Sequence, residues 1–169
     1  METTRHGSHP RPVLTQAKNN TTLWIGHLKT DPHDHFGGQT FICPDDGNLD
    51  NIQLFASAVP CPGDMRLSLH AFDTATKTWG ENLGEVTQSV DRNDDHQWIR
   101  FELPPIKLKR SASYGFRLDT LNALVGLGEA ACDNRDPFTF GHEWTADSQD
   151  KKGHYLSYFS LAFKVEMRA

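Results

Sequence analysis

The stretch from Tyr155 to Met167 carries the sharpest pattern in the chain. From Ser157 onward, Phe159, Leu161, Phe163, Val165 and Met167 alternate with Ser160, Ala162, Lys164, Glu166 and Arg168. A period of two puts every second side chain on one face, so the stretch predicts a strand with one buried side and one wetter side. At strand rise it would run roughly 40 Å, enough to cross a small domain. So apolar a face must be covered. The pattern therefore predicts a closing strand, laid last into a sheet made by earlier parts of the chain.

The same alternation recurs upstream. Met65, Leu67, Leu69 and Ala71 oppose Arg66, Ser68 and His70; Ile99, Phe101 and Leu103 share a face, as do Tyr114, Phe116 and Leu118. Shorter strands are predicted over 23–28, 36–43, 49–59, 83–90 and 124–129. Turn chemistry separates them at Pro44-Asp-Asp-Gly47, Pro60-Cys-Pro-Gly-Asp64 and the acidic Asp91–Asp95, and Pro104-Pro105 is expected to stop the strand before it. Residues 121–131 have a helix-like composition, but two glycines and flanking Asn and Asp favour a strand. Two polar runs are expected to be loops: 74–82, which holds Trp79, and 132–153, which holds His142 and Trp144. The expected fold is all-β, a two-sheet antiparallel β-sandwich. The breaker-rich first residues predict a flexible N-terminal tail over 1–20 and a single domain over 21–169.

Composition narrows the function classes. At 169 residues with 37% apolar content, the chain is long enough for a core without staples. A two-sheet protein tolerates that modest content, because only alternate residues face inward. A net charge of -5 argues against duplex nucleic acid as a partner. No run approaches the roughly eighteen apolar residues of a membrane span, and no apolar segment near the N-terminus suggests a signal peptide. Cys43 and Cys61 are expected at opposite ends of a hairpin, roughly 30 Å apart and beyond disulfide reach, so buried free thiols are predicted.

The order of features resembles a known family. Gly38-Gln-Thr-Phe41, then Gly47, Leu49, Asp50 and Ile52, then Trp98-Ile-Arg-Phe101 and Ser113-Tyr-Gly-Phe-Arg-Leu118, lead to Asp136-Pro-Phe138 with Gly141 and Trp144, and to Leu161-Ala-Phe-Lys-Val165. Together these resemble bacterial jelly-roll β-sandwich modules of the carbohydrate-binding-module-like kind. The resemblance covers roughly Phe36 to Met167 and rests mostly on packing and turn residues. It implies a jelly-roll-like sandwich, an extracellular setting, a glycan as the ligand class and a structural calcium site. Asp45, Asp46, Asp50 and Glu166 are the oxygens on which such a site would draw.

Among individual side chains, Trp24, Trp79, Trp98 and Trp144 are candidates for stacking on a sugar, whose C–H face suits an aromatic ring. His142, His33 and His35 would add hydrogen bonds. His33-Asp-His35, with Asp31 and His27, is also the densest set of metal-ligand side chains, although solvated turn residues are the favoured reading and no zinc spacing is present. His142-Glu143 and Asp91–Asp95 hold the side chains of acid–base catalysis, but nothing selects a pair. No nucleophile elbow, zinc-protease helix or phosphate loop occurs. The expectation is a non-catalytic glycan-binding module acting through exposed aromatic and polar loop residues. Its rivals are an assembly module pairing through a sheet face or edge, and a small hydrolase or lyase on the same scaffold.

Overall fold

Thirteen antiparallel strands form in the computed structural model, which describes residues 9–132 and 138–168. They are β1 (Arg11–Gln16), β2 (Thr21–His27), β3 (Asp34–Ile42), β4 (Gly47–Cys61), β5 (Gly63–Asp73), β6 (Thr78–Val90) and β7 (Gln97–Leu108). Then follow β8 (Ser113–Thr120), β9 (Leu124–Ala131), β10 (Glu143–Asp147), β11 (His154–Leu156), β12 (Phe159–Leu161) and β13 (Phe163–Met167). A short 3-10 turn at Arg92–Asp94, capped by Asp91, is the only helical element among the described residues. No described helix is long and apolar enough to cross a membrane.

The hydrogen-bonded order is β1-β13-β4-β9-β2-β3-β8-β5-β6, with β7 on β4, β12 on β9, β10 on β3 and β11 on β10. One continuous sheet therefore curls over into a sandwich, as the strand pattern predicts. The alternation in each strand explains its closure. Phe116 and Leu118 of β8, Leu67 and Leu69 of β5, Ile52 and Leu54 of β4, and Phe101 of β7 are all essentially excluded from water. Phe163 of β13 ties the two sides together, with its ring 6.2 Å from Phe41 of β3 and 5.7 Å from Phe116 of β8.

The terminal pattern breaks into two strands at Ala162. The Ala162 N–H donates to the Gly128 carbonyl, and its own carbonyl accepts from the Phe55 N–H. There the chain leaves β9 and joins β4, without losing its inward face at Phe163, Val165 and Met167. Nor does β13 lie at an edge, because β1 covers it.

β1 itself lies inside the segment expected to be a tail. Only Val13 and Leu14 pack on the core, so an edge strand with one thin apolar contact reads as polar tail. Gln16 anchors it, donating from Nε2 to the Lys18 and Leu161 carbonyls. Residues 1–8 lie outside the described residues.

Pro104-Pro105 does not stop β7. The register against β4 slips there, from Leu49 opposite Ile106 to Asn51 opposite Glu102. Since β7 hydrogen-bonds only to β4 among the described residues, the prolines lose no ladder on the open side. All three cysteines are free, but only Cys43 is buried; Cys61 is exposed, because it ends β4 at the surface.

Phe163→Ala removes the ring at the centre of this contact and should cost about 3–5 kcal/mol. Lys164 points the other way and lays its ammonium 4.1 Å from the centre of the Trp98 ring, so Lys164→Ala should cost about 0.5–1 kcal/mol. Equilibrium denaturation of both variants checks the register, and a larger loss from Lys164→Ala would contradict it.

Candidate functional site

Strand alternation makes the back of the core into a second, polar face. With Tyr114, Phe116 and Leu118 inside, β8 turns Gly115, Arg117 and Asp119 outward; with Met65, Leu67 and Leu69 inside, β5 turns out Arg66, Ser68 and His70. Register then aligns these outward residues across the sheet. Trp144 of β10 lies opposite Gly38 of β3, Gly38 opposite Arg117, Arg117 opposite Ser68, and Ser68 opposite Glu85 of β6. Tyr155 of β11 continues the row beyond Trp144. In the next row, Thr40, Gly115, His70 and Asn82 face one another in turn.

Arg117 is the centre of this face. Its Cζ lies 4.6 Å from the ring centres of both Trp79 and Trp144, and the two indoles meet edge-on at 5.4 Å and 70°. Two glycines make the room. A Cβ at Gly115 would come within 2.6 Å of the Trp79 ring, and one at Gly38 within 3.3 Å of the Trp144 ring. Phe72 backs Trp79 at 5.2 Å and Tyr155 at 5.6 Å. Trp144 Nε1 donates to the Lys152 carbonyl at 3.0 Å. Arg117 Nε and Trp79 Nε1 are buried with no hydrogen-bond partner among the described residues. Burial draws the Arg117 guanidinium below its usual pKa.

Beside this cluster opens a pocket of about 340 Å³. Phe36 and Trp144 give it an apolar wall, while Ser68, His70, Asn82, Glu85, Arg117 and Lys151 supply polar groups. Arg66 at its rim grips Asp119 with two donors, Nε at 3.0 Å from Oδ1 and Nη2 on Oδ2. His70 Nε2 lies 2.9 Å from Ser68 Oγ, and burial lowers its pKa and so favours the neutral imidazole. Such a site offers fixed donors and acceptors beside ring surface, which suits an amphipathic ligand.

The structure brings together two of the residues singled out from sequence, Trp79 and Trp144, and scatters the rest. Both stand on strands rather than loops: those polar runs contain the start of β6 and all of β10. Trp144 is only 3% exposed, so it is a wall held by Arg117 and Trp79, not an open stacking platform. His142 belongs to a separate pocket of about 120 Å³ with Lys77, and burial followed by that charge lowers its pKa. Trp24 of β2 packs over Gly126 of β9.

Asp31 engages His33 and His35 locally at the start of β3, its carboxylate taking the His33 N–H at 2.9 Å and lying 2.8 Å from His35 Nε2. Asp45 pairs with Arg11 at 2.8 Å and Arg110 at 3.5 Å, and Asp46 accepts the Arg110 N–H. Asp50 pairs with Arg100 at 3.0 Å, and Glu166 accepts from Asn51 and Gln53. These carboxylates answer guanidinium and amide donors, and no described group of three or more acidic, His or Cys side chains is arranged to hold a metal. The residues do not fit a calcium site. Asp136 and Pro137 of the family-like stretch lie outside the described residues. Sequence reading missed Arg117, Ser68, His70 and Glu85: the outward phase of the first three was visible, but the strand pairing that aligns all four was not.

No family model and no curated protein matches the sequence. Among solved structures, the crystal structure of the cysteine protease and lectin-like domains of Cwp84, a surface layer associated protein of Clostridium difficile, is similar with a TM-score of 0.52 and 8% identity. The match covers 90% of this chain but 37% of that one. At so low an identity the likeness is one of fold.

Next to Trp144 on β10, Glu143 points the opposite way, into the protein, and is 0% exposed. No described donor reaches either of its carboxyl oxygens. Burial first, and the neighbouring Glu129 second, push its pKa up to about 10 from an ordinary 4.5. A neutral Glu143 fits both facts, because an uncharged carboxyl tolerates a buried place beside Glu129, whose Oε1 accepts from Thr21 Oγ1 at 2.6 Å.

The folded state then keeps a proton that the unfolded chain releases above pH 4.5. This contribution to stability is fully present at lower pH and declines as pH rises through the window up to about 10, by at most about 1.4 kcal/mol per pH unit. Glu143→Gln should flatten that slope. The depressed pKa values of His70 and His142 act in the opposite sense, so the difference between wild-type and Glu143→Gln denaturation curves across pH isolates the effect. A difference that does not change with pH would contradict a proton retained on Glu143.

Proposed function

We propose that the chain is a non-catalytic binding module whose pocket beside Arg117 and Trp144 takes a glycan. One observation carries the reading: a row of hydrogen-bonding side chains, fixed by strand register, runs beside an aromatic wall in one pocket. A pyranose has the matching character, with C–H faces for rings and hydroxyls for paired donors and acceptors. Strand-borne side chains also lose little freedom on binding, which preserves affinity. A fold shared with a structure that includes a lectin-like domain is consistent with this reading.

The rivals gain less. Exposed large apolar side chains among the described residues are Ile42, Leu121 and Tyr158, in separate segments, which does not favour an apolar docking face. The carboxyl pair Glu143–Glu129 is enclosed and lies on the face away from the pocket, which does not favour acid–base chemistry there.

Ser68→Trp fills the pocket floor from a position outside the core. It should weaken oligosaccharide binding about tenfold or more in calorimetric titration, as occlusion of a small concave site does. Gln88→Trp, in a separate cavity with Val86 and Trp98, should leave binding unchanged. Equal binding by wild type and Ser68→Trp would show that the ligand sits elsewhere.

A further inference from the structure

A guanidinium held against two indoles and half out of water is a charge with little to answer it. Its Nε is buried without a partner, and among the described residues no carboxylate pairs with Arg117. The two carboxylates of the pocket are engaged or remote. Asp119 is held by both donors of Arg66, and Glu85 stands two strands away along the same row. Ring faces return about 0.5–2 kcal/mol per contact, less than it costs to remove an ion from water unpaired. Lys151 adds a further cation to the lining, beside Arg117 and the Asp119-paired Arg66.

We propose that the pocket selects an acidic sugar, taking its carboxylate or sulfate at Arg117 and Lys151 while ring hydroxyls meet Ser68, His70 and Glu85. This inference rests on the glycan reading and narrows its ligand class. The planar fork of Arg matches two oxygens of a carboxylate or sulfate at once, whereas a neutral hydroxyl engages one donor and leaves the charge uncompensated. Glu85 sets the direction. At the β6 end of the row it repels an anion and accepts hydroxyl protons, so the acid group lies toward Trp144. The two indoles hold the guanidinium in place before the ligand arrives, so little side-chain entropy is lost on binding.

The test is a glycan array displaying neutral, uronate-bearing, sialylated and sulfated oligosaccharides, probed with the full chain. Calorimetry then compares the strongest binder with its methyl-esterified or desulfated form. Acidic glycans should bind about tenfold tighter or more, as a lost charge-assisted pair in a partly buried site implies. Masking the acid should remove that factor, and Arg117→Gln should weaken acidic glycans about tenfold more than it weakens neutral ones.

The uronate and sulfate arms decide which oxyanion is preferred. If Arg117→Gln does not fold, the wild-type protein decides the matter. Raising sodium chloride from about 50 to about 500 mM should weaken acidic ligands severalfold and neutral ones hardly at all. Neutral glycans binding as tightly as acidic ones would overturn the acidic preference and leave the glycan reading standing. Polyanion binding that survives Ser68→Trp would place the interaction outside the pocket and overturn it as well. No binding by any glycan class would overturn both.

Discussion

Everything in this protein hangs on the phase of β8. Tyr114, Phe116 and Leu118 point inward and Phe116 meets Phe163 across the sandwich; one residue out of step, Gly115, Arg117 and Asp119 point outward and found the pocket. A slip of one residue in the pairing of β8 with β3 or β5 would bury the guanidinium and expose the core rings together. The apolar face fixes that register strongly, so the polar face inherits a precision that it could not impose alone. Core and site are two readings of one constraint.

The outward face carries its own internal logic. An arginine in mid-sheet with ring neighbours on two sides needs space, and Gly38 and Gly115 supply it where any side chain would meet an indole. Trp144 arrives from β10, which pairs with the first half of β3, while Trp79 arrives from β6, two strands away on the other side of β8. The cluster therefore joins elements distant in sequence, Trp79 and Trp144 among them. Its cation–π contacts offset part of the desolvation of Arg117 but add no counter-charge. That residual imbalance gives the face its chemical character.

Much of the fold was legible in the sequence, because period-two burial leaves its trace wherever one face is fully covered. Met65–Phe72, Ser113–Leu118 and Phe163–Met167 show it plainly. It fails where coverage is thin or doubled. β1 touches the core only through Val13 and Leu14, and reads as polar tail; Ser160 and Ala162 are buried on both sides as the chain crosses from β9 to β4, and read as an unbroken strand.

The site was half legible. Arg66, Ser68 and His70 declared their outward phase, and Trp79 and Trp144 stood out by type. What the sequence withheld was adjacency: pairing of β5 with β8 and of β10 with β3 is a matter of topology, and it alone brings Arg117 between two indoles. The acidic residues misled for the same reason. Asp45 and Asp50 look like cation ligands in sequence, but in space Arg11, Arg100 and Arg110 answer them.

The central claim is that ligand enters beside the paired indoles and not elsewhere on the sheet. The four tryptophans, Trp24, Trp79, Trp98 and Trp144, give four indole N–H signals in a nitrogen-15 correlation spectrum, assignable by single Trp→Phe substitution. Titration with the best-binding oligosaccharide should shift the Trp79 and Trp144 signals in proportion to occupancy, with those of Trp24 and Trp98 staying in place. Movement of Trp24 or Trp98 while Trp79 and Trp144 remain still would contradict the account.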